Sequence, residues 1–240
     1  TYSIITTDSV FAPSYLSDLT VTDNIFNATS DMITAVEKAF ALISQYTGIT
    51  FVKVTETATQ CGDIRIGLTT STDISTAVSY SLPYTTQLNG NINGDIWFSP
   101  NFTSENEDWS TGSYNFKTLL HEIGHSMGLK HPHDEGLYGS WTPPIAIQAY
   151  DNSFYTLMAY RDFPGDNWGS EPDETVQYDV NDNEFYSYTF MYFDILALRY
   201  LYSRNLDSSY ITPDITDDED YGIGDTGNNT YTISGTNSTG

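Results

Sequence analysis

All four histidines of the chain fall within thirteen consecutive residues, in the stretch "LLHEIGHSMGLKHPHD" (119–134): His121, His125, His131 and His133. His121 and His125 are four apart on a segment of helical periodicity, so their side chains stack about one turn apart on one face. Two neutral imidazoles at that spacing can both reach one zinc ion at about 2.0–2.1 Å. Glu122 is adjacent in sequence but displaced by about 100° around the helix. There it can flank the metal without binding it, where a general base for metal-activated water belongs. Gly128 lets the chain leave the helix in a left-handed conformation, and the turn brings His131 back as a third ligand. The string reads H-E-x-x-H-x-x-G-x-x-H, and its chance expectation in a chain with so few histidines is on the order of one in a hundred thousand. Three protein ligands leave one position open, which marks a single catalytic zinc rather than a structural one. The chemistry implied is attack of activated water on a carbonyl, with the developing oxyanion stabilised at the site. His133, just past the string, reads as a loop or rim histidine.

The elements that position this string can be read from periodicity. "NATSDMITAVEKAFALISQYTG" (27–48) is an amphipathic helix capped by Ser30 or Asp31 and ended by Gly48. "ITFVKV" (49–54), "DIRIG" (63–67), "GDIWF" (94–98) and part of "STAVSYSLPY" (75–84) read as strands. A second helix spans 114–127, with Phe116, Leu119, Leu120, Ile123 and Met127 as its apolar stripe. Residues 132–187 read as loop, and so long an irregular stretch is usually functional. "DVNDNE" (179–184) within it lacks the glycine and closing glutamate of a calcium loop and reads as a solvated turn. A third helix covers 187–205, and after Pro213 the chain becomes acidic and Gly-rich. Helices that follow strands without regular alternation argue for an α+β fold.

Composition sets outer limits. With 39% hydrophobic and 15% aromatic residues a sizeable core is available. The 32 acidic against 8 basic residues give a net charge of -24, which repels nucleic acid and anionic membranes. The same surplus reads first as solubility in salty or extracellular water, with binding of a hard cation, a structural calcium, as the second reading beside it. No apolar run approaches the about 20 residues needed to span a bilayer. Cys61, the single cysteine, excludes an internal disulfide and is expected as a buried small hydrophobe. The chain begins at "TYSIITTDS", without Met or a signal-peptide pattern, and the expectation is a processed N-terminus.

These motifs resemble the metzincin metalloproteases, and within them the serralysin-type bacterial proteases. The long zinc string carries the likeness first. "YTLMAY" (155–160), some 27 residues after His131, resembles the Met-turn of that clan. The resemblance implies Met158 as the hydrophobic floor under the metal. It also implies Tyr160 as an additional zinc ligand and transition-state donor, hence a catalytic residue beside Glu122. The opening "TYSI", the sheet segments and "MYFDILALRYLY" extend the likeness across residues 1–205. By topology "TAVSY" would hold the antiparallel edge strand, Ala77, Val78, Ser79 and Tyr80, to which an extended substrate adds as a further strand. The pattern departs after the third histidine, where serralysins usually continue "HPGDYNAG" and this chain has "HPHDEGLYG". In place of the C-terminal calcium β-roll, only "GDTGNNTYTISG" suggests one repeat, the remnant or start of a roll.

The resulting expectation is a metzincin-type α+β catalytic domain over residues 1–212. Its upper subdomain, about 1–128, holds a twisted, mostly parallel sheet with an antiparallel edge strand and the active-site helix. Its loop-rich lower subdomain, about 129–212, ends in a helix, and residues 213–240 form an acidic tail. The implied protein is a secreted, monomeric zinc endopeptidase acting on extended protein or peptide substrates. The alternatives are a catalytically silent metal-binding adhesion module and a narrow-specificity toxin or processing peptidase.

Overall fold

The computed structural model describes residues 1–11, 15, 20–79, 94–102, 107–133, 150–161, 177–178 and 184–202. One five-stranded sheet contains β1 (Tyr2–Ile4), β2 (Ile25–Phe26), β3 (Ile64–Thr69), β4 (Ala77–Ser79) and β5 (Ile96–Phe98). β3 is its axis. It pairs in parallel with β1 on one edge, Ile4 opposite Ile66, and with β5 on the other, Ile66 opposite Ile96. β2 runs antiparallel to the end of β3 beyond β1, and β4 closes the far edge antiparallel to β5, with Val78 opposite Trp97. The architecture is α+β around a mixed sheet.

All six residues of β3 are buried, so both faces of the sheet are covered. Successive side chains alternate between those faces. Ile64, Ile66 and Leu68 meet the helices α1 (Ser30–Thr47) and α2 (Tyr114–Ser126), whose Val36, Phe40, Ile43, Phe116, Leu119 and Ile123 complete the main core. α3 (Tyr192–Tyr202) adds Leu198 to it. On α1 the cap is Thr29, not Ser30 or Asp31: Thr29 is the last extended residue, and its hydroxyl accepts the Met32 N–H. Gly48, at φ 72, ends the helix and donates its N–H to the Ser44 carbonyl.

The opposite face carries charge. Trp97, Ile5, Tyr15 and Val21 form a small apolar cluster there. Beside it the Arg65 guanidinium pairs bidentately with Glu56, at 2.9 and 2.8 Å, and lies 4.4 Å from the centroid of the Phe11 ring. Its Nη1 is 3.9 Å from Asp95 Oδ2, which accepts the Tyr15 hydroxyl at 2.6 Å. Tyr15 in turn accepts the Trp97 indole N–H at 2.8 Å. The network ties the segment bearing Phe11 and Tyr15 to the sheet.

Several sequence expectations change. Residues 49–54 are not a strand. Only an isolated parallel bridge joins Lys53 to Tyr2, because the chain turns back through a second bridge between Thr57 and Gln60 before it can extend the ladder. Cys61 is exposed rather than buried. The buried place goes to Gly62, where a Cβ would lie 2.5 Å from the backbone of Tyr2 and Ser3. The third helix starts at Tyr192 rather than 187, since the Asp194 carboxylate accepts the Met191 N–H and sets its first turn there. Residues 177–178 and 184–185, read as loop, pair as strands β6 and β7. Tyr80, residues 203–205 of the expected third helix, the boundary after 213 and the tail 213–240 lie outside the described residues. Among the described residues no helix is long and apolar enough to cross a membrane.

The Asp95 carboxyl is pushed up to about 7 by burial, with Glu56 adding to the rise and the Tyr15 hydroxyl and Arg65 opposing it. A folded-state value above the ordinary carboxylate value of about 3.9 means stability that is full below about pH 4 and lost as pH rises through about 7. Asp95→Asn removes that term. The variant should therefore gain stability relative to the wild type between about pH 4 and 7, and no more above that, in denaturant unfolding at stepped pH. Parallel curves would show that Arg65 keeps Asp95 ionised throughout.

Candidate metal centre

Ser113 caps α2 by accepting the Phe116 N–H at 3.1 Å. With Phe116, Leu119, Leu120 and Ile123 fully buried in the core, the helix is oriented so that His121 and His125 stay half-buried on its outer face. Its C-terminus is a Schellman motif: Leu129 N–H donates to the Gly124 carbonyl and Gly128 N–H to that of His125, both at 2.9 Å. Gly128 sits at φ 97, a conformation that favours glycine, and the chain reverses there toward His131.

The reversal brings three imidazoles together. His131 Nε2 is 3.3 Å from His121 Nε2 and 2.9 Å from His125 Nε2. Tetrahedral bonds of about 2.0–2.1 Å to one zinc would place ligand atoms about 3.3 Å apart, so the spacing fits the ion. On the two helix histidines the other ring nitrogen is spoken for. His121 Nδ1–H donates to the Leu157 carbonyl at 3.0 Å and His125 Nδ1–H to the Leu129 carbonyl at 2.8 Å. A carbonyl can only accept, so these bonds fix the tautomer that leaves each Nε2 lone pair facing the centre. Burial, then the neighbouring His125, holds His121 down to about 3, neutral and ready to ligate. Among the described residues this trio is the one His, Cys, Asp or Glu group close enough to hold a metal.

The other expected site residues surround it. Glu122 is 8% exposed, and burial pushes its carboxyl up to about 7. The Ser79 hydroxyl on β4 opposes that rise, although no hydrogen bond of good geometry reaches it. Ala77, Val78 and Ser79 form the half-buried sheet edge packed on α2. The Tyr160 ring is half exposed, 4.5 Å from the His131 ring and 5.9 Å from that of His121. Met158 is buried directly under α2, where a Cβ on Gly124 would lie 2.8 Å from its sulfur. His133 stacks on His131 at 5.0 Å with planes 12° apart.

Two positions escaped sequence reasoning. Gly124 is a mid-helix glycine, itself a sign of close packing, and here it admits Met158. Asp194 is a lone acid in the apolar stretch that forms α3. Its fully buried carboxylate accepts the Thr156 hydroxyl at 2.5 Å, Leu157 N–H at 2.7 Å and Met191 N–H at 2.9 Å. Leu157 is therefore gripped through its N–H while its carbonyl orients His121. Burial raises Asp194 to about 6 despite these three donors.

Imidazoles converging from a helix and its exit turn, beside the antiparallel edge of a mixed sheet, define a metzincin-type metalloprotease domain. Residues 17–144, just over half of the sequence, match the family described as matrixin, and the chain belongs to that family. It is 30% identical to serralysin of Proteus mirabilis over 160 residues, 65% of this chain and 29% of that protein. It is 32% identical to metalloprotease AprA of Pseudomonas entomophila over 118 residues, 48% of this chain and 23% of that protein. Interstitial collagenase of Bos taurus is 31% identical over 123 residues, 47% and 24% of the two chains. The chain spans less than a third of the length of these curated relatives.

Asp194→Ala should leave three buried donors without their acceptor, lowering stability by about 3–5 kcal/mol and loosening metal retention through Leu157. Urea unfolding and zinc content after dialysis check this. An unchanged midpoint would show that the 152–161 loop holds Leu157 without help from α3.

Proposed function

We propose that the chain is the catalytic domain of a secreted zinc endopeptidase that cleaves extended peptides, its domain reaching residue 212. The observation that carries this reading is the convergence of three imidazole Nε2 atoms, two of them oriented by backbone carbonyls, beside a buried carboxyl and a sheet edge. His121, His125 and His131 would hold the ion, with Tyr160 as a further ligand at rest. When bound, zinc polarises the scissile carbonyl and acidifies the attacking water.

The chain's own residues do the rest. β4 takes up substrate backbone as an added antiparallel strand and sets the scissile bond over the site. Glu122 accepts a proton from the attacking water and delivers it to the leaving amine. Its burial serves that exchange, and a neighbouring cation brings its carboxyl back toward the ionised form. The Tyr160 phenol, exposed to the cleft, donates a hydrogen bond to the oxyanion as it forms. Met158 supports the histidines from beneath. Calcium, favoured by the acidic surplus, would be structural.

Zinc-loaded protein should hydrolyse casein and a fluorogenic peptide library. Chelation should abolish this, as should Glu122→Ala while its zinc stays stoichiometric. Inertness of the zinc-loaded wild type across the library rejects the proposal. In Tyr160→Phe, zinc should be retained while kcat falls about 10- to 1000-fold, as for loss of one oxyanion donor. An unchanged kcat with full zinc would reduce Tyr160 to a packing residue.

A further inference from the structure

His121 and His125 are oriented by backbone carbonyls at 3.0 and 2.8 Å. His131 stands beyond the helix, on the exit segment, and a ring lies flat against it. The His133 imidazole is 5.0 Å away with planes only 12° apart, and it also meets the Tyr160 ring at 4.9 Å. His131 and Tyr160 are themselves 4.5 Å apart, so the three rings form one mutual contact. On its far side His133 Nδ1 is 3.7 Å from Asp151 Oδ1. Asp151 is 2% exposed, and its second oxygen pairs with Arg161. Asp151 and Arg161 stand at the two ends of the loop that carries Met158. Ser153 closes that loop by donating its N–H and hydroxyl to the Arg161 carbonyl at 2.8 and 3.1 Å.

We infer that His133 is a positioning residue that clamps the His131 ring and the Tyr160 ring against the Asp151–Arg161 closure of the Met158 loop. A flat ring packed on His131 restricts rotation about its side-chain bonds, and Asp151 restricts His133 in the same way. The lengths involved make this a matter of packing and charge placement, since 3.7 Å is too long for a hydrogen bond. His133 lies two residues past the last histidine of the H-E-x-x-H-x-x-G-x-x-H string, so the clamp is no part of that string itself. The inference rests on the zinc reading above, and its deciding readouts, zinc release and the cobalt spectrum, need no peptide cleavage.

The 240-residue chain is loaded with zinc or with cobalt(II), as wild type, His133→Gly and His133→Phe. Outer partners of metal ligands typically change metal affinity 10- to 100-fold, so His133→Gly should release zinc to a chelator about 10-fold faster. Its cobalt visible bands should shift, and kcat should fall with KM within about twofold. His133→Phe keeps the planar face and should restore most of the zinc retention and the cobalt spectrum. Should the glycine variant lose its thermal transition, His133→Leu, of similar bulk without a flat face, replaces it. Wild-type release and an unshifted cobalt spectrum in the ring-less variant overturn the inference, as does a phenylalanine variant that behaves like it. A wild type that binds zinc but cleaves nothing rejects the peptidase reading and leaves this comparison intact. A wild type that binds no zinc rejects both.

Discussion

The Leu157 peptide is the point on which the histidine cluster turns. Its carbonyl fixes the tautomer and plane of His121, and its N–H is held by the buried Asp194 carboxylate. A zinc ligand must present a lone pair along a narrow direction, and a helix alone cannot supply that, because an imidazole rotates about two bonds. Asp194 accepts three donors at once, so it fixes the 156–157 turn and the start of α3 in a single interaction. The cost of burying that carboxylate is offset by those donors, and would not be if any of them were displaced.

The sheet has a different task. β3 is buried on both sides, with apolar residues toward the helices and Arg65 on the reverse. A guanidinium is tolerated there because Glu56 meets it bidentately and Phe11 covers its face. That arrangement fastens the segment bearing Phe11 and Tyr15 to the reverse face of the sheet. The Ser126 hydroxyl bonds to the Gly94 carbonyl at 3.0 Å, which ties the end of the histidine-bearing helix to the approach of β5. Site and sheet thus share a rigid join.

Much of the fold was legible because its cues are local. The α1 stripe, the Gly48 stop, the β3 and β5 segments and the span of α2 follow from periodicity and caps within a few residues. The α1 cap and the start of α3 were missed by a few residues, and the larger misreadings arose where a distant partner decided the outcome. "ITFVKV" alternates like a strand, but its ladder to Tyr2 ends after one bridge. Cys61 is outside because Gly62 must lie on the Tyr2–Ser3 backbone, a contact that crosses 59 residues.

The sequence by itself determined that three histidines would meet. An i, i+4 pair and a glycine exit are statements about one helix and one turn, and backbone geometry carries them without help from the rest of the chain. Only the tertiary structure decided which nitrogen of His121 faces the centre and what holds it there, whereas His125 is oriented by Leu129, four residues on. Leu157 lies 36 residues beyond His121, and Asp194 another 37 beyond that. Spacing has no reach over such distances: those partners are brought into place by burial of α3 and the 152–161 loop against the core, and burial depends on every layer at once.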